Sequence, residues 1–281
     1  MTYTPASAVI LIPSLEPDDR LPAYVRKLLE RGFTRAVIVN DGSSEKYQPI
    51  FDEVAAIEGV TVLKHEVNRG KGCGLKTGYT YIRDHMPDAS GVITADADGQ
   101  HTVEDCWKLA EALTDSKRAM YLGSRDFNLP NVPPKSRFGN KTTSMIFKIF
   151  VGMTISDTQT GLRAIPKQYL PGFCEIKGER FEYETNMLLA MKRNGIPFDE
   201  VPIAFLRHAT SKVRTEDDLA CIGPLGFRGE ALASVAAVAK VDMLTCTGKG
   251  TGCAYAIHGG EEISHDETGC PKGTTIVVRD L

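Results

Sequence analysis

Two aspartates, one residue apart, close an apolar run in Thr94-Ala-Asp-Ala-Asp-Gly-Gln-His101. On an extended backbone residues i and i+2 project to the same side, so Asp96 and Asp98 can address one hard cation. Oxygen donors suit Mg²⁺ or Mn²⁺ bound together with a diphosphate. A D-x-D taken alone is more often a solvated Asp-Gly turn, but neighbouring segments repeat the pattern. Val39-Asn-Asp-Gly-Ser43 sets Asp41 after another apolar run, and Gly123-Ser-Arg-Asp126 sets Arg125 after a third. Asn68-Arg-Gly-Lys-Gly72 is a glycine-rich turn entering a helix, where backbone N–H groups and Lys71 can meet phosphate oxygens. Charged loops at the same end of successive strands are where open α/β sheets bind ligands.

The elements that must position these residues alternate. Short apolar runs at residues 8–12, 36–40, 60–64, 91–95 and 119–123 are separated by amphipathic stretches at 21–31, 44–57, 73–85 and 103–113. That rhythm predicts a largely parallel sheet covered on both faces. Beyond Arg125 a proline-rich loop at 128–134 precedes an expected helix at 140–151, a strand at 162–165, a helix at 182–193 and a strand at 200–203. After residue 206 the texture changes. A small-residue helix is expected at 230–240 and strands at 241–246, 253–257 and 274–278, with a Gly/Thr/Glu loop between the last two.

The bulk properties exclude little but agree with a folded chain. Among 281 residues, 42% are hydrophobic and 25% charged, which is ordinary for a globular protein. A net charge of −3 nominates neither nucleic acid nor an anionic membrane as partner. The start MTYTPASAVILIPS lacks a basic region, and no run approaches the ~20 apolar residues that span a bilayer. Seven cysteines with no C-x-x-C pair read as reduced thiols. The expected location is the cytoplasm, or the inner face of the membrane as a peripheral protein.

From about residue 6 to 204 the motifs together resemble family 2 glycosyltransferases of the dolichol-phosphate-mannosyltransferase-like kind. The residues carrying the resemblance are Ile12-Pro13, Val39-Asn-Asp-Gly-Ser43, Asn68-x-Gly-Lys-Gly72, Leu75-Lys-Thr-Gly78, Thr94 to His101, Gly123-Ser-Arg-Asp-Phe127, Asp157-Thr-Gln-Thr-Gly-Leu-Arg163 and Gly178-Glu-Arg-Phe-Glu-Tyr-Glu184. The resemblance implies an α/β, GT-A nucleotide-sugar-binding fold and inverting transfer of a sugar. It implies that Pro13, Asp41, Lys71 and Asp96 serve the nucleotide-sugar and that Asp98 and Gln100 hold Mg²⁺ or Mn²⁺. Arg125 and Arg137 match positions that grip phosphates, a task suited to guanidinium forks, and Asp157 is the preferred acceptor-side carboxylate. Relatives of this kind use a lipid phosphate as acceptor. The first loop departs from the pattern: Pro13-Ser-Leu-Glu16 stands where relatives often carry Tyr-Asn. Glu182 and Glu184 open a helix, where acidic residues are favoured in any case, and either could orient the acceptor.

Residues 207–281 resemble something else. Arg207-His-Ala-Thr-Ser-Lys-Val213, then Leu225-Gly-Phe-Arg-Gly-Glu-Ala-Leu232, then Gly273-Thr-Thr-Ile-Val-Val-Arg-Asp-Leu281 are similar to the GHKL-type, α+β ATPase domain of MutL mismatch-repair proteins. Ser211, Lys212, Gly226 and Gly229 match its phosphate loop. The helix bearing a magnesium-binding Asn and the Asp-Asn-Gly-x-Gly loop of that family have no counterpart here. ATP hydrolysis is therefore not expected, and the segment reads as a fragment that should pack poorly. The expected division is 1–204 for the transferase and 205–281 for the partial ATPase. The leading expectation is a metal-dependent glycosyltransferase. The alternatives are a MutL-like protein that binds ATP and mismatched DNA through its C-terminal segment, and an inactive chimera.

Overall fold

The computed structural model describes residues 4–115, 118–129, 134–204, 239–246, 251–259 and 261–280. Seven strands make the first sheet: β1 (Ala8–Ser14), β2 (Ala36–Asp41), β3 (Val60–His65), β4 (Gly91–Thr94), β5 (Met120–Arg125), β6 (Arg163–Pro166) and β7 (Phe198–Ile203), in the spatial order β3-β2-β1-β4-β6-β5-β7. Strands β1 to β4 are mutually parallel, and β5 is parallel to β7. The strand expected at 162–165 is the exception, because β6 runs antiparallel between β4 and β5. As a result β1, β2, β4 and β5 all end at one edge, and β6 begins there.

Strand β1 is buried at every position, as a strand must be when helices cover both faces. Its alternate residues feed two cores. Ile10 and Ile12 join Leu21, Val25 and Leu28 of α1 (Arg20–Arg31), Phe51 of α2 (Gln48–Ala55) and Leu109 of α4 (Val103–Ala112). Val9 and Leu11 join Leu75, Tyr79 and Ile82 of α3 (Lys71–His85), Phe173 of α6 (Leu170–Cys174) and Met187 and Leu188 of α7 (Glu182–Arg193). Each fully buried aliphatic side chain contributes about 1.5–3 kcal/mol, so the two-sided burial of β1 anchors the sheet that carries the charged loops.

Boundaries moved where local chemistry intervened. The stretch expected as a helix at 44–57 divides into a 3-10 turn at Glu45–Tyr47 and α2, with a proline near the start of α2. The helix expected at 140–151 begins earlier, as α5 (Pro134–Ile146), and passes into a π-turn at Phe147–Val151. Proline tolerates the first turn because its missing N–H has no helical partner there.

The second sheet is antiparallel, in the order β10-β9-β8-β11, with β8 (Lys240–Cys246), β9 (Gly252–His258), β10 (Glu261–Thr268) and β11 (Gly273–Arg279). Lys240, expected to end a helix, opens β8, and Ala239 lies in a bend just before it; residues 230–238 of that expected helix lie outside the described residues. The expected Gly/Thr/Glu loop is largely strand β10. Its acidic composition hid it from the sequence, and pairing with β9 supplies its ladder. The strand expected at 274–278 forms as β11 and pairs with β8. Among the described residues of this sheet only Ala239, Val241 and Met243 are buried hydrophobics, while Leu244, Ile263, Ile276 and Val277 are exposed.

Candidate active site

Asp41 ends β2 and is almost wholly buried. Its Oδ1 accepts hydrogen bonds from the backbone N–H of Arg69 (2.9 Å) and contacts His65 Nδ1 at 2.7 Å, while its Oδ2 accepts from the N–H of Gly70 (2.8 Å). The other ring nitrogen of His65 meets Thr77 Oγ1 at 2.9 Å. Asp41 thus fixes the turn that opens α3. Pro13 is buried in β1, where it packs beneath Gly74 of α3.

The turn itself is braced from outside. The first turn of α7 and the segment before it press on it: a Cβ at Gly72 would lie 2.6 Å from Tyr183 Cβ, and Cys73 N–H donates to the Glu179 carbonyl (3.0 Å). Further along α3, a Cβ at Gly78 would collide with Leu11 at 2.2 Å. Both glycines permit close approach of chain to chain.

Lys71 turns inward. Its Nζ lies 2.8 Å from Asp96 Oδ1 and 2.9 Å from Glu184 Oε2. Burial works against the ammonium, but the two carboxylates outweigh it and hold Lys71 well above the usual lysine range. Asp96 also meets His101 Nε2 at 3.2 Å. Burial alone would push the Asp96 carboxyl up; Lys71 and His101 together hold it well below the carboxylate range. Above this pair runs the loop before β6, where Gly161 would place a Cβ 2.9 Å from Asp96 Oδ2. Thr94 Oγ1 donates to the Gly161 carbonyl (2.6 Å) and accepts from the N–H of Arg163 (3.2 Å), which locks that loop to the end of β4.

Asp98 differs from Asp96. Burial and the charge of Asp96 raise its carboxyl, against the opposing effect of hydrogen bonds from Gln100 and the charge of His101. The Gln100 N–H donates to Asp98 Oδ1 at 3.0 Å, and the Gln100 side-chain amide contacts Asp98 Oδ2. Two oxygen-bearing side chains therefore meet at the mouth of β4. Among the described residues no three His, Cys, Asp or Glu side chains converge as a metal cage.

Arg125 and Asp157 find each other. Nε donates to Asp157 Oδ2 at 2.6 Å and the terminal nitrogen to Oδ1 at 3.1 Å, a two-point pair in which the Asp157 side chain is wholly buried. The N–H of Gln159 also donates to Asp157 (3.0 Å). Arg137 lies on α5, and its side chain is outside the described residues, as are Ser211, Lys212, Gly226 and Gly229. Glu182 accepts from the backbone N–H groups of Glu179 and Arg180, closing its own helix start.

His65 is a site residue that the sequence motifs do not mark, and Gly161 and Arg163 lie in the Asp157–Arg163 motif without a role assigned to them there. Arg163 is buried, donating from Nε to the Thr160 carbonyl (3.2 Å) and from its terminal nitrogen to the Glu184 carbonyl (2.7 Å). A lone Arg in an apolar strand was the available signal, since charge is rarely buried without partners.

The edge described here, with acidic and basic loops at the carboxyl ends of β1, β2, β4 and β5, is the ligand edge of an open α/β sheet. The model of glycosyl transferase family 2 matches residues 9–171, and the chain belongs to that family. An uncharacterized protein of Methanocaldococcus jannaschii is 32% identical over 198 residues, covering 69% of this chain and 79% of its own. A UDP-N-acetylglucosamine–dolichyl-phosphate N-acetylglucosaminyltransferase of Methanococcus voltae is 28% identical over 211 residues, covering 69% and 83%. The structure of glucosyl-3-phosphoglycerate synthase from Mycobacterium tuberculosis, in complex with Mn²⁺, uridine diphosphate and glucosyl-3-phosphoglycerate, shares the fold. Its TM-score is 0.54 at 12% identity, covering 82% of this chain and 77% of that one.

The remainder matches elsewhere. The DNA mismatch repair protein MutL of Agathobacter rectalis is 51% identical over 88 residues, which is 31% of this chain. This chain spans only 14% of that protein's length. The 88-residue match is longer than the segment 205–281, so it takes in residues before 205.

Proposed function

We propose that residues 1–204 act as a divalent-metal-dependent, inverting hexosyltransferase. It would move a sugar from a nucleotide-sugar to a phosphate acceptor, of the polyprenyl kind, at a membrane surface. The observation that carries this reading is the Asp98–Gln100 pair at the end of β4. A partly buried carboxylate raised by desolvation and by the charge of Asp96 is one that a cation would relieve, and the donors are hard oxygens, as Mg²⁺ and Mn²⁺ require. Mg²⁺ is commonly bound by one or two carboxylates with the rest of its shell from water and phosphate, so the small protein donor set fits. When bound, the ion would neutralise charge building on the departing diphosphate.

The chain's own residues divide the remaining work. Asp96, held ionised by Lys71 and His101, is poised to accept hydrogen bonds from the nucleotide. Lys71, which the glycine-rich turn had suggested for phosphate, serves in this reading to hold Asp96 and Glu184 together. Asp41 contributes through the turn it shapes. Asp157, its oxygens committed to Arg125 and Gln159, sets the plane of the Arg125 guanidinium, which would grip phosphate with Arg137. An acceptor phosphate oxygen is already anionic and attacks without a strong base, so Asp157 need not remove a proton. The dolichyl-phosphate substrate named for the M. voltae relative supports the acceptor class. The Mn²⁺ and uridine diphosphate of the mycobacterial complex support the donor and the ion. No helix among the described residues is long and apolar enough to cross a membrane, so the acceptor's tail would be met at the surface.

Residues 205–281 are in this reading a partial MutL-like ATPase segment without an adenine pocket or a magnesium-binding Asn. Turnover of UDP- and GDP-sugars with Mn²⁺ or Mg²⁺ tests the transferase, and Asp98→Ala should abolish the metal-dependent part. Folded wild-type protein that neither binds nor turns over any such donor refutes it. Magnesium-dependent ATP binding in equilibrium dialysis would instead favour the mismatch-repair reading.

A further inference from the structure

The second sheet brings two thiols to one notch. Cys246 ends β8, and Gly252 opens β9 one residue beyond the Thr245–Cys253 pair of the ladder. A Cβ built at Gly252 would lie 2.3 Å from Cys270 Sγ and 3.1 Å from Cys246 Cβ. The Cys270 thiol, from the turn joining β10 to β11, therefore occupies the space that the absent side chain of residue 252 leaves. It lies directly beside Cys246, whose side chain hydrogen-bonds it. Cys246 and Cys270 are each partly exposed, and Cys246, like Cys253, borders an open hollow of about 490 Å³ that a small oxidant can enter. No disulfide joins the cysteines among the described residues.

We propose that Cys246 and Cys270 form a reversible disulfide when the protein meets a hydroperoxide, tying the end of β8 to the β10–β11 turn. One thiolate attacks the peroxide, the O–O bond breaks, and a sulfenic acid and water (or an alcohol) result. The second thiolate then attacks the sulfenic sulfur, forming the S–S bond and releasing water. Two thiols lose two electrons and two protons, and the hydroperoxide takes up both. Burial, with Cys246 as neighbour, raises the Cys270 thiol, so the reaction should quicken with pH as the thiolate fraction grows. Cys253, the next residue along β9, is the internal comparison. The inference is independent of the transferase reading, because none of these residues belongs to the site at the first sheet.

The full chain is treated with hydrogen peroxide at pH 8.5, alkylated, digested without reduction and analysed by mass spectrometry. The expected result is a Cys246–Cys270 linked peptide at least about tenfold more abundant than any other linkage, reversed by dithiothreitol and absent from Cys270→Ser. Gly252→Ala, whose methyl competes for the notch, should lower its yield severalfold while circular dichroism stays unchanged. A majority linkage through Cys253 or any first-sheet cysteine overturns the proposal. So does oxidation of Cys246 and Cys270 without a link, or an undiminished yield in Gly252→Ala.

Discussion

Replacing Lys71 by Met leaves the shape of the side chain nearly intact and removes its charge. Asp96 and Glu184 each lie within 3 Å of Nζ, so their nearest oxygens are no more than about 6 Å apart. At an effective dielectric of about 20, two unit charges at that distance repel by about 3 kcal/mol. Breaking a buried ion pair by deleting one partner costs about 3–5 kcal/mol. Because Asp96 keeps 29% of its side chain exposed, the low end applies, and Lys71→Met should lose about 3 kcal/mol. The assay is urea unfolding at pH 7, with the loss read from the midpoint at unchanged slope. Adding Glu184→Gln removes one of the two repelling charges and should return about half of the loss. A fall of less than about 1 kcal/mol, or a double variant no more stable than Lys71→Met, would refute the reasoning. Unchanged stability with a raised KM for the donor would show instead that Lys71 faces the phosphates.

Further expectations follow from neighbouring geometry. Gly161→Ala would set a methyl 2.9 Å from Asp96 Oδ2 and 3.1 Å from Lys71 Nζ, and should cost about 1–3 kcal/mol; a midpoint within error of wild type would show that the loop yields freely. Asp105 accepts from Thr102 Oγ1 and its own N–H donates back to that oxygen, while Lys108 and the Ala204 N–H also donate to its carboxylate. Burial opposes ionisation of Asp105, but these partners win and hold its carboxyl below the ordinary value. With the folded value lowered, its stabilisation is complete above the unfolded pKa and is lost as pH falls through the folded one. Asp105→Asn should therefore cost about 1–2 kcal/mol near neutrality and less at pH 3; a cost that is the same at both pH values would contradict this.

Much of the fold was legible because it depends on local pattern. The runs at 8–12, 36–40 and 60–64 became β1, β2 and β3, and Glu182–Arg193 has the bounds that its apolar spacing predicts. Strand β6 was found, but not its direction, since a four-residue strand carries no mark of which way its neighbours run. Strand β10 escaped because its residues are mostly exposed, so no burial period was written into them. Gly72, in the turn Asn68-Arg-Gly-Lys-Gly72, also makes room for Tyr183, more than a hundred residues later in the chain, which no local pattern can show.

The same division holds for the chemistry. The order of motifs was sufficient to show a family 2 glycosyltransferase and a MutL-like piece beside it, and it placed Asp96, Asp98 and Arg125 at strand ends. Backbone periodicity carries that information, because the side of a strand on which a residue falls depends only on its neighbours in sequence. Which charge meets which was decided by tertiary structure alone. Lys71 lies between Asp96 and Glu184, and Arg125 is gripped by Asp157, because the sheet edge brings loops from distant parts of the chain to one place. An ion pair's strength depends on distance and burial, and neither quantity is written in the order of residues.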